Sequence, residues 1–260
     1  MKTFRALLFS LFVLSNSVLA NTYTTDMTDL WWNANESGWG VTATHQREVI
    51  FLTFFVYATD NRAQWYTAQV SYTSQNAQGA LVFTGPMYTV TGPWFGASFN
   101  PNAVGVRQVG TATFAAFIAA ATLTYSVDGI AVSKELTRQT FRNNNLTGQY
   151  FGVSRDTLSG CSNPADNGTS ESTASFTITH SGTSFRLSTT SGTICTWAGT
   201  YTQTGRMGRA QGTVSCPGTS ESGVFDFIEM EATPRSISWR NVSTSTSCSQ
   251  ITGYFAAILR

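Results

Sequence analysis

The chain has few charged residues and almost no lysine. Charged residues make up 11% of its 260 positions, against roughly 25% in an ordinary globular protein. Lys2 and Lys134 are the only lysines, and no stretch of the chain gathers basic residues. Nucleic-acid binding depends on clustered Lys and Arg. We therefore expect no nucleic-acid partner.

The chain also lacks an apolar run long enough to span a membrane. The N-terminal run holds about nine apolar residues, whereas a transmembrane helix needs ~20. Residues 1–20 combine Lys2, Arg5, this short apolar core and small residues before Ala20, as a secretory signal peptide does. We predict cleavage after Ala20, a secreted or periplasmic location and no membrane span. Loss of Lys2 and Arg5 leaves thirteen basic and fourteen acidic residues, a net charge of −1.

Cysteine is absent from the first half of the chain. All four cysteines lie between positions 161 and 248, whereas five of the seven tryptophans lie before position 95. The polar stretch RNNNLTG at 142–148 separates the two halves and is typical of a linker. We predict two domains after the signal peptide at 1–20, an aromatic-rich domain at 21–143 and a disulfide-bonded domain at 144–260.

Short runs of alternating apolar and polar residues, separated by turn residues, fill both halves. Eight runs in the C-terminal half predict an up-and-down barrel, which leaves no exposed strand edge. Seven similar runs fill the N-terminal half. The segment ATFAAFIAAATL at 112–123 fits two strands or a short helix, and we favour strands. The predicted fold is all-β, with two antiparallel, calycin-like barrel domains.

One predicted strand is apolar on both faces. VIFLTFFVYA at 49–58 has no polar alternation. A strand buried on both faces needs a cover outside the barrel. We expect the second domain or a partner chain to provide that cover.

The cysteines can be paired from strand register. Gly205 and Arg206 predict a type II′ hairpin turn, because that turn prefers glycine at its first central position. This register places Cys195 opposite Cys216 in a non-hydrogen-bonded pair, where side chains are closest. Cys161 follows the first strand and Cys248 precedes the last, and in a closed barrel those strands are antiparallel neighbours, so these two meet. Of the three possible pairings, only this one fits both constraints, and an exported compartment permits it.

Two stretches resemble known families. LTGQYFG at 146–152 resembles the Gly-x-Trp signature of calycins such as lipocalins and avidins, with Tyr150 in place of the tryptophan. Over about residues 28–142, WWN-x-x-ESGWG, TGPWF and KELTRQTF resemble a recurrent module of secreted proteobacterial proteins. That resemblance implies an accessory or binding role. Asn61-Arg62 replaces the usual Asp-Gly of the module's first hairpin.

The calycin resemblance also suggests structural roles. In calycin-like barrels an arginine of the terminal strand stacks over a tryptophan near the start, which implies that Arg138 stacks over a core Trp39. Trp31 and Trp32 are neighbours and point to opposite faces if extended, so at least one is expected at the surface. We predict a ligand site formed by Trp31, Trp32, Trp94, Glu36 and Trp65.

Glu36 is the strongest catalytic candidate. Glycoside hydrolysis needs two carboxylates ~5–9.5 Å apart, and Asp29 or Glu48 could supply the second. The sequence Asn-Glu-Ser-Gly equally indicates a turn in which Glu36 bonds local amides or the following serine, and we favour this interpretation. His45 and His180 lie in different halves and cannot form a zinc site together. We expect no metal and no cofactor.

Three functions remain open from the sequence. The first is a secreted or periplasmic, non-enzymatic binding protein with an aromatic-lined site for a small apolar or carbohydrate ligand. The second is an envelope structural module that docks another secreted protein. The third is a hydrolase that uses Glu36. An open aromatic cavity would favour a small ligand, whereas a flat aromatic patch would favour a protein partner.

Overall fold

The computed structural model describes residues 25–260, and the predicted signal peptide lies outside them. Its sixteen strands form two closed antiparallel barrels of eight strands each. In both barrels, strands consecutive in sequence are neighbours in the sheet, and the last strand pairs with the first. This confirms the predicted all-β fold with two barrel domains.

Barrel 1 contains the first eight strands. They are β1 Asp29–Trp32, β2 Gly40–Gln46, β3 Val49–Tyr57, β4 Ala63–Gln75, β5 Leu81–Thr91, β6 Gly105–Ala116, β7 Ala120–Val127 and β8 Ile130–Arg138. A short 3-10 helix, Pro101–Ala103, lies in the long β5–β6 loop. The segment at 112–123 forms the end of β6, a turn and the start of β7, so the strand interpretation is correct.

Barrel 2 contains the remaining eight strands. They are β9 Gly148–Cys161, β10 Gly168–Ser181, β11 Ser184–Thr189, β12 Thr196–Thr204, β13 Met207–Ser215, β14 Ser222–Ala232, β15 Ser236–Ser245 and β16 Cys248–Leu259. A 3-10 helix, Pro164–Asp166, lies between β9 and β10. The Gly205-Arg206 turn joins β12 to β13 in the predicted register, with Thr204 opposite Met207.

Each barrel encloses its own apolar core, because alternate residues of every strand point inward. Barrel 1 is filled by aliphatic and aromatic side chains that are fully buried, among them Ile50, Leu52, Phe54, Phe83, Phe114 and Leu123. Barrel 2 is filled mainly by stacked rings, namely Tyr150, Phe176, Phe225, Phe227, Trp239 and Phe255.

The linker at 139–147 joins one end of each barrel, which we call the linker end. At these ends β8 finishes and β9 begins. The opposite end of each barrel is the distal end. In barrel 1 the distal end carries the β1–β2, β3–β4, β5–β6 and β7–β8 connections. In barrel 2 it carries the β9–β10, β11–β12, β13–β14 and β15–β16 connections.

Both linker ends are closed by the same set of hydrogen bonds. In barrel 1 the Trp31 indole Nε1 donates to the Met27 carbonyl (3.0 Å), and the Met27 amide donates to His45 Nδ1 (3.2 Å). The His45 amide in turn donates to the hydroxyl of Thr28 (2.9 Å). The closure therefore satisfies buried polar groups at the point where the chain enters the first strand.

Barrel 2 repeats this closure with related residues. The Tyr150 hydroxyl donates to the Leu146 carbonyl (3.0 Å), and the Leu146 amide approaches His180 Nδ1 at 3.5 Å. The His180 amide donates to the hydroxyl of Thr147 (3.0 Å). The two barrels thus share one design at their linker ends and differ at their distal ends.

The two linker ends contact each other through the β12–β13 turn of barrel 2. The Arg206 amide donates to Asp29 Oδ2 (3.0 Å), and its guanidinium bridges Asp26 (2.9 Å) and Glu231 (2.7 Å). The Gly205 amide donates to the Thr140 hydroxyl (2.8 Å). These bonds leave both distal ends directed away from the contact.

Both predicted disulfides are present, and both lie at the distal end of barrel 2. Cys161–Cys248 joins the end of β9 to the start of β16, and Cys195–Cys216 joins the residue before β12 to the residue after β13. Within residues 25–260, no helix has the length and apolarity to cross a membrane.

Candidate functional site

The distal end of barrel 1 exposes large aromatic side chains. In the β5–β6 loop Trp94, Phe95 and Phe99 are 70%, 96% and 73% exposed. Tyr57 and Trp65, which border the β3–β4 connection, are also at least half exposed. Scattered exposed apolar residues are ordinary, but a group of exposed rings at one end of a barrel is typical of an interaction surface. We call these five residues the aromatic end.

The aromatic end carries little net charge. Residues 91–106, which hold three of its rings, contain no charged side chain. The ions around it are paired as Asp60–Arg62 (2.6 Å), Arg107–Asp128 (2.6 Å) and Glu36–Lys134 (2.7 Å). This end of the barrel therefore exerts little long-range attraction on a charged ligand, and what it offers is mainly apolar surface.

Glu36 lies in the β1–β2 turn, as predicted, but its carboxylate has different partners. Its amide donates to the Asn33 carbonyl (3.0 Å). The carboxylate accepts hydrogen bonds from Lys134 Nζ (2.7 Å) and from the Trp39 indole (3.1 Å), rather than from local amides or Ser37. The hydrogen bond from Lys134 lowers the pKa of Glu36, so the side chain is ionised at neutral pH.

Neither Asp29 nor Glu48, the two expected sources of a second carboxylate, lies beside Glu36. The Asp29 carboxylate is bound by Arg138 and by the Arg206 amide at the linker end. Glu48 lies in the β2–β3 turn, and the seven residues of β2 separate that turn from the one that holds Glu36. At ~3.3 Å per residue this separation is ~20 Å. A lowered pKa also disfavours a general acid, which needs a raised one.

Trp31, predicted to bind ligand, is a core residue. Its side chain is fully buried and packs edge-on against Phe114 with ring centroids 5.2 Å apart. Trp31 is the register partner of the buried Val41 of β2. Trp31 therefore lies on the inner face of β1, and Trp32 lies on the outer face. The prediction of a ligand contact at Trp31 is therefore wrong.

Arg138 stacks on a tryptophan, but the partner is Trp31 and not Trp39. The guanidinium carbon lies 4.6 Å from the Trp31 ring centroid, and the two residues are register partners on β8 and β1. Because β8 is antiparallel to β1, its last residue lies beside the first strand's start at the linker end. Trp39 immediately precedes β2 at the distal end and is out of reach. Instead Trp39 is half-buried, packs against the core of barrel 1 and has Lys134 Nζ 5.7 Å from its ring.

The Arg138 side chain is fully buried, and its bonds satisfy it. It donates to the carbonyls of Ile118 (2.6 Å), Asp26 (2.7 Å) and Thr28 (3.2 Å), and it contacts Asp29 at 3.3 Å. Burial lowers the pKa of Arg138, while Asp29 opposes that effect. These bonds tie the end of β8 to the chain entry of barrel 1.

The other predicted ligand residues are divided between the wall and the distal end. Trp32 is half-buried on the outer wall, opposite Thr137 of β8. Trp65 and Trp94 belong to the aromatic end. Of the five residues predicted, Trp65, Trp94 and Glu36 lie at the distal end of barrel 1.

The outer face of β3 has no cover from barrel 2. Phe51 and Phe55 point outward and are exposed, and Phe55 pairs with the exposed Trp65 of β4. Phe55 also lies across Gly40, whose missing side chain makes room for the ring. Among residues 25–260, the hydrogen bonds and ion pairs that join barrel 2 to barrel 1 lie at the linker end. The second domain therefore does not cover the outer face of β3, contrary to one of the two expectations. The exposed strip leads from Phe51 toward the aromatic end.

Sequence reasoning missed several residues of the distal end. Phe95 and Phe99 were not selected, although both lie in the charge-free loop beside Trp94. Lys134 was not linked to Glu36, although it is the sole lysine after the predicted signal peptide and falls on the inward parity of β8. A lone cation on an inward position requires a carboxylate partner, and that rule could have found the pair.

The two histidines serve the linker-end closures. Burial lowers the pKa of His45, against opposing effects from a backbone hydrogen bond with Arg47 and from Asp26. No group of three or more His, Cys, Asp or Glu side chains within residues 25–260 has an arrangement that could hold a metal ion.

A groove of about 820 Å³ lies on the outer side of barrel 2, next to Asp26. Its charged side chains are bound to each other or to barrel 1, as in Arg240–Glu229 (3.0 Å) and Arg206–Glu231 (2.7 Å). These ion pairs belong to the junction between the barrels, so the groove is a weaker candidate than either distal end.

Comparison of the chain with family models, curated proteins and solved structures gives no match.

Proposed function

We propose that this protein is an exported, non-enzymatic binding protein that docks through the aromatic end of barrel 1 onto an apolar surface of another secreted or envelope protein. The observation that carries the proposal is the exposure of Trp94, Phe95 and Phe99 on a loop without charge. Protein interfaces are depleted of charge at their centre and enriched in aromatic residues. Tryptophan is also a frequent hot-spot residue.

The geometry favours an extended partner over an enclosed small ligand at this end. The interior of barrel 1 is filled by buried side chains, and the five rings of the aromatic end face outward. The Trp94 and Phe95 rings are tilted by 54°, so they do not form one flat platform. The resemblance of residues 28–142 to an accessory module of secreted proteins supports the same function.

A carbohydrate is the second candidate ligand for this end. The Glu36–Lys134 pair lies beside the half-buried Trp39 ring, so hydrogen-bonding groups and an aromatic face occur together. A sugar presents hydroxyl groups and an apolar ring face, and both would find partners there.

Photo-crosslinking from position 95 tests the proposal. Phe95→p-benzoylphenylalanine places the probe on the loop, and Val224→p-benzoylphenylalanine places it on an exposed position of barrel 2 as a control. Irradiation of intact expressing cells should give a discrete protein adduct from position 95 alone. That adduct should disappear when Trp94→Ser and Phe99→Ser are added to the same chain.

Two results would count against protein docking. Equal adducts from positions 95 and 224 would indicate random collision. Loss of the adduct on addition of soluble oligosaccharides, with direct sugar binding by the purified chain and abolition of that binding by Trp39→Ala, would favour the carbohydrate candidate instead.

A further inference from the structure

The distal end of barrel 2 is an open mouth that contains a cavity of about 510 Å³. The cavity lies inside the barrel wall, because inward-facing residues of β9, β12, β15 and β16 line it. Among them are Asp156, Leu158, Trp197, Asn241, Ser243 and Ile251. Ligand sites of this volume are common in the mouths of β-barrels. The site is remote from the aromatic end of barrel 1.

One wall of the cavity is polar. Ser243, which is buried, donates from its hydroxyl to Asn241 Oδ1, and Asn241 Nδ2 donates to Asp156 Oδ1 (3.1 Å). Gly253 is the register partner of Asp156, and a Cβ at position 253 would collide with the Arg155 carbonyl oxygen and with Asp156 Oδ1. Glycine at this position therefore lets β16 lie close to β9 beside the Asp156 carboxylate.

The Asp156 carboxylate has one oxygen left for a ligand. The hydrogen bond with Asn241 uses Oδ1, and no residue within 25–260 donates to Oδ2. No basic side chain lines the cavity. A ligand that donates a hydrogen bond would therefore complete the coordination of a carboxylate that the barrel already holds in place.

The rest of the lining supplies an aromatic face. Trp197 of β12 points inward, is half-buried and packs against the core of barrel 2. Leu158, Val214 and Ile251 extend this apolar surface. A ligand in the mouth would therefore meet both hydrogen-bonding groups and an indole ring.

The two disulfides hold the rim of the mouth. Cys216 and Cys248 line the cavity themselves, and each is bonded to the neighbouring strand. Fixing a site in its bound shape lowers the entropic cost of binding. Barrel 1 has no cysteine, so a rim held by disulfides is particular to the distal end of barrel 2.

We propose that the mouth of barrel 2 binds a small, uncharged, polyhydroxylated ligand of one or two sugar rings. The apolar ring face stacks on Trp197, while hydroxyl groups donate to Asp156 and exchange hydrogen bonds with Asn241. An anionic ligand is disfavoured because no cation in the lining offsets Asp156. This site adds a small-ligand function to the proposed docking function and is carried by different residues on the other barrel.

Isothermal titration of the mature chain with a panel of neutral monosaccharides and disaccharides, together with the matching uronic acids, tests this proposal. At least one neutral sugar should bind at concentrations of about 10 mM, where a Kd in the millimolar range is measurable. Its uronic acid should bind more weakly. Asp156→Asn and Trp197→Leu should each lower the affinity at least about tenfold. Asp226→Asn, which removes an outer-face carboxylate paired with Arg209 on the same barrel, should bind as the wild type does.

The variants need a folding control, which thermal melts supply. If Trp197→Leu does not fold, Ser243→Ala replaces it as the test of the lining, because it removes one hydroxyl and leaves the ring. The proposal is overturned if no neutral sugar binds, if only amines bind, or if binding is the same in the lining variants as in the wild type. None of these outcomes affects crosslinking from position 95, so the two proposals fail separately.

Discussion

Among single residues, Trp31 is the largest fully buried side chain within residues 25–260. Trp31→Ala removes a fully buried ring and leaves Arg138 without its stacking partner. Truncation of a buried tryptophan costs about 3–5 kcal/mol. We expect Trp39→Ala to cost much less, because Trp39 is half-exposed at the mouth. Urea unfolding followed by circular dichroism would compare the two variants, and an equal loss of stability in both would contradict the assignment.

His45 gives barrel 1 a pH-dependent stability. The unfolded chain takes up a proton near the ordinary histidine pKa of about 6.5, whereas the folded chain resists protonation because burial lowers the pKa of His45. The stability that the neutral His45 gives the folded chain is therefore fully present above about pH 6.5. It is lost as the pH falls through the lower pKa that His45 has in the folded chain.

Melting temperatures between about pH 8 and about pH 5 test this dependence. We expect the wild type to lose stability on acidification and His45→Asn, which keeps an acceptor for the Met27 amide, to lose less. His180→Asn serves as the matched control in barrel 2 and should leave the His45 contribution in place. An identical pH profile for His45→Asn and the wild type would refute the role of His45.

The sequence predicted a stacked Arg138 but assigned the wrong tryptophan to it. Parity alone does not separate Trp31 from Trp39, since both point inward. The deciding fact is strand direction, which puts the end of β8 beside β1. Phe95 and Phe99 were missed for a different reason, because a loop has no periodicity from which exposure can be predicted.

At the scale of elements, the β12–β13 turn connects the two barrels. Gly205 has a φ of +61° and faces Asp29 and Arg138, where a Cβ would collide with both. Gly182 begins the β10–β11 turn with a similar φ of +58° and has open space around it. Substitution of Gly182 therefore tests backbone strain alone, whereas substitution of Gly205 tests the same strain together with the contact between the barrels.

We expect Gly182→Ala to cost about 1–2 kcal/mol, the ordinary penalty for a left-handed backbone. Gly205→Ala should cost more, because it also displaces Asp29 or Arg138. Thermal melts of both variants, with limited proteolysis of the linker at 139–147, would show whether the contact loosens. Equal costs and equal proteolysis would indicate that the turn is not essential to the contact.

The disulfides can be separated by the size of the loop that each closes. Cys161 and Cys248 are 87 residues apart, and Cys195 and Cys216 are 21 apart. Chain entropy gives about 4–5 kcal/mol for the longer loop and about 3 kcal/mol for the shorter one. Denaturation of the paired Cys→Ser variants should therefore show the larger loss for Cys161 with Cys248. The reverse order would contradict the entropic account.

Two constraints made the pairings predictable. The β12–β13 turn fixes every facing pair on its two strands, which sets Cys195 opposite Cys216, and closure of the barrel places Cys161 beside Cys248. Strand register does not predict what covers the outer face of β3. Apolar residues on both faces of VIFLTFFVYA indicate that something covers the strand, but not which chain provides it. In the structure the inner face is covered by the barrel and Phe51 and Phe55 remain exposed.

At the scale of the whole molecule, the two barrels are alike where they meet and different where they face away. The closure of Met27, Thr28 and Trp31 recurs at the same spacing in Leu146, Thr147 and Tyr150. This spacing of an apolar residue, a threonine and an aromatic residue is visible in the sequence and marks the entry to each barrel. The distal ends lack a shared pattern, so no spacing in the sequence marks which of their residues are exposed.

Oxidative footprinting tests the central claim, that a partner covers the aromatic end, most directly. Hydroxyl radicals oxidise exposed aromatic side chains, so Trp94, Phe95 and Phe99 should react fast in the purified chain. In intact expressing cells we predict several-fold slower oxidation of these three rings, with no change at the exposed Tyr254 of barrel 2. Equal oxidation of the three rings in both settings would contradict the proposed docking function.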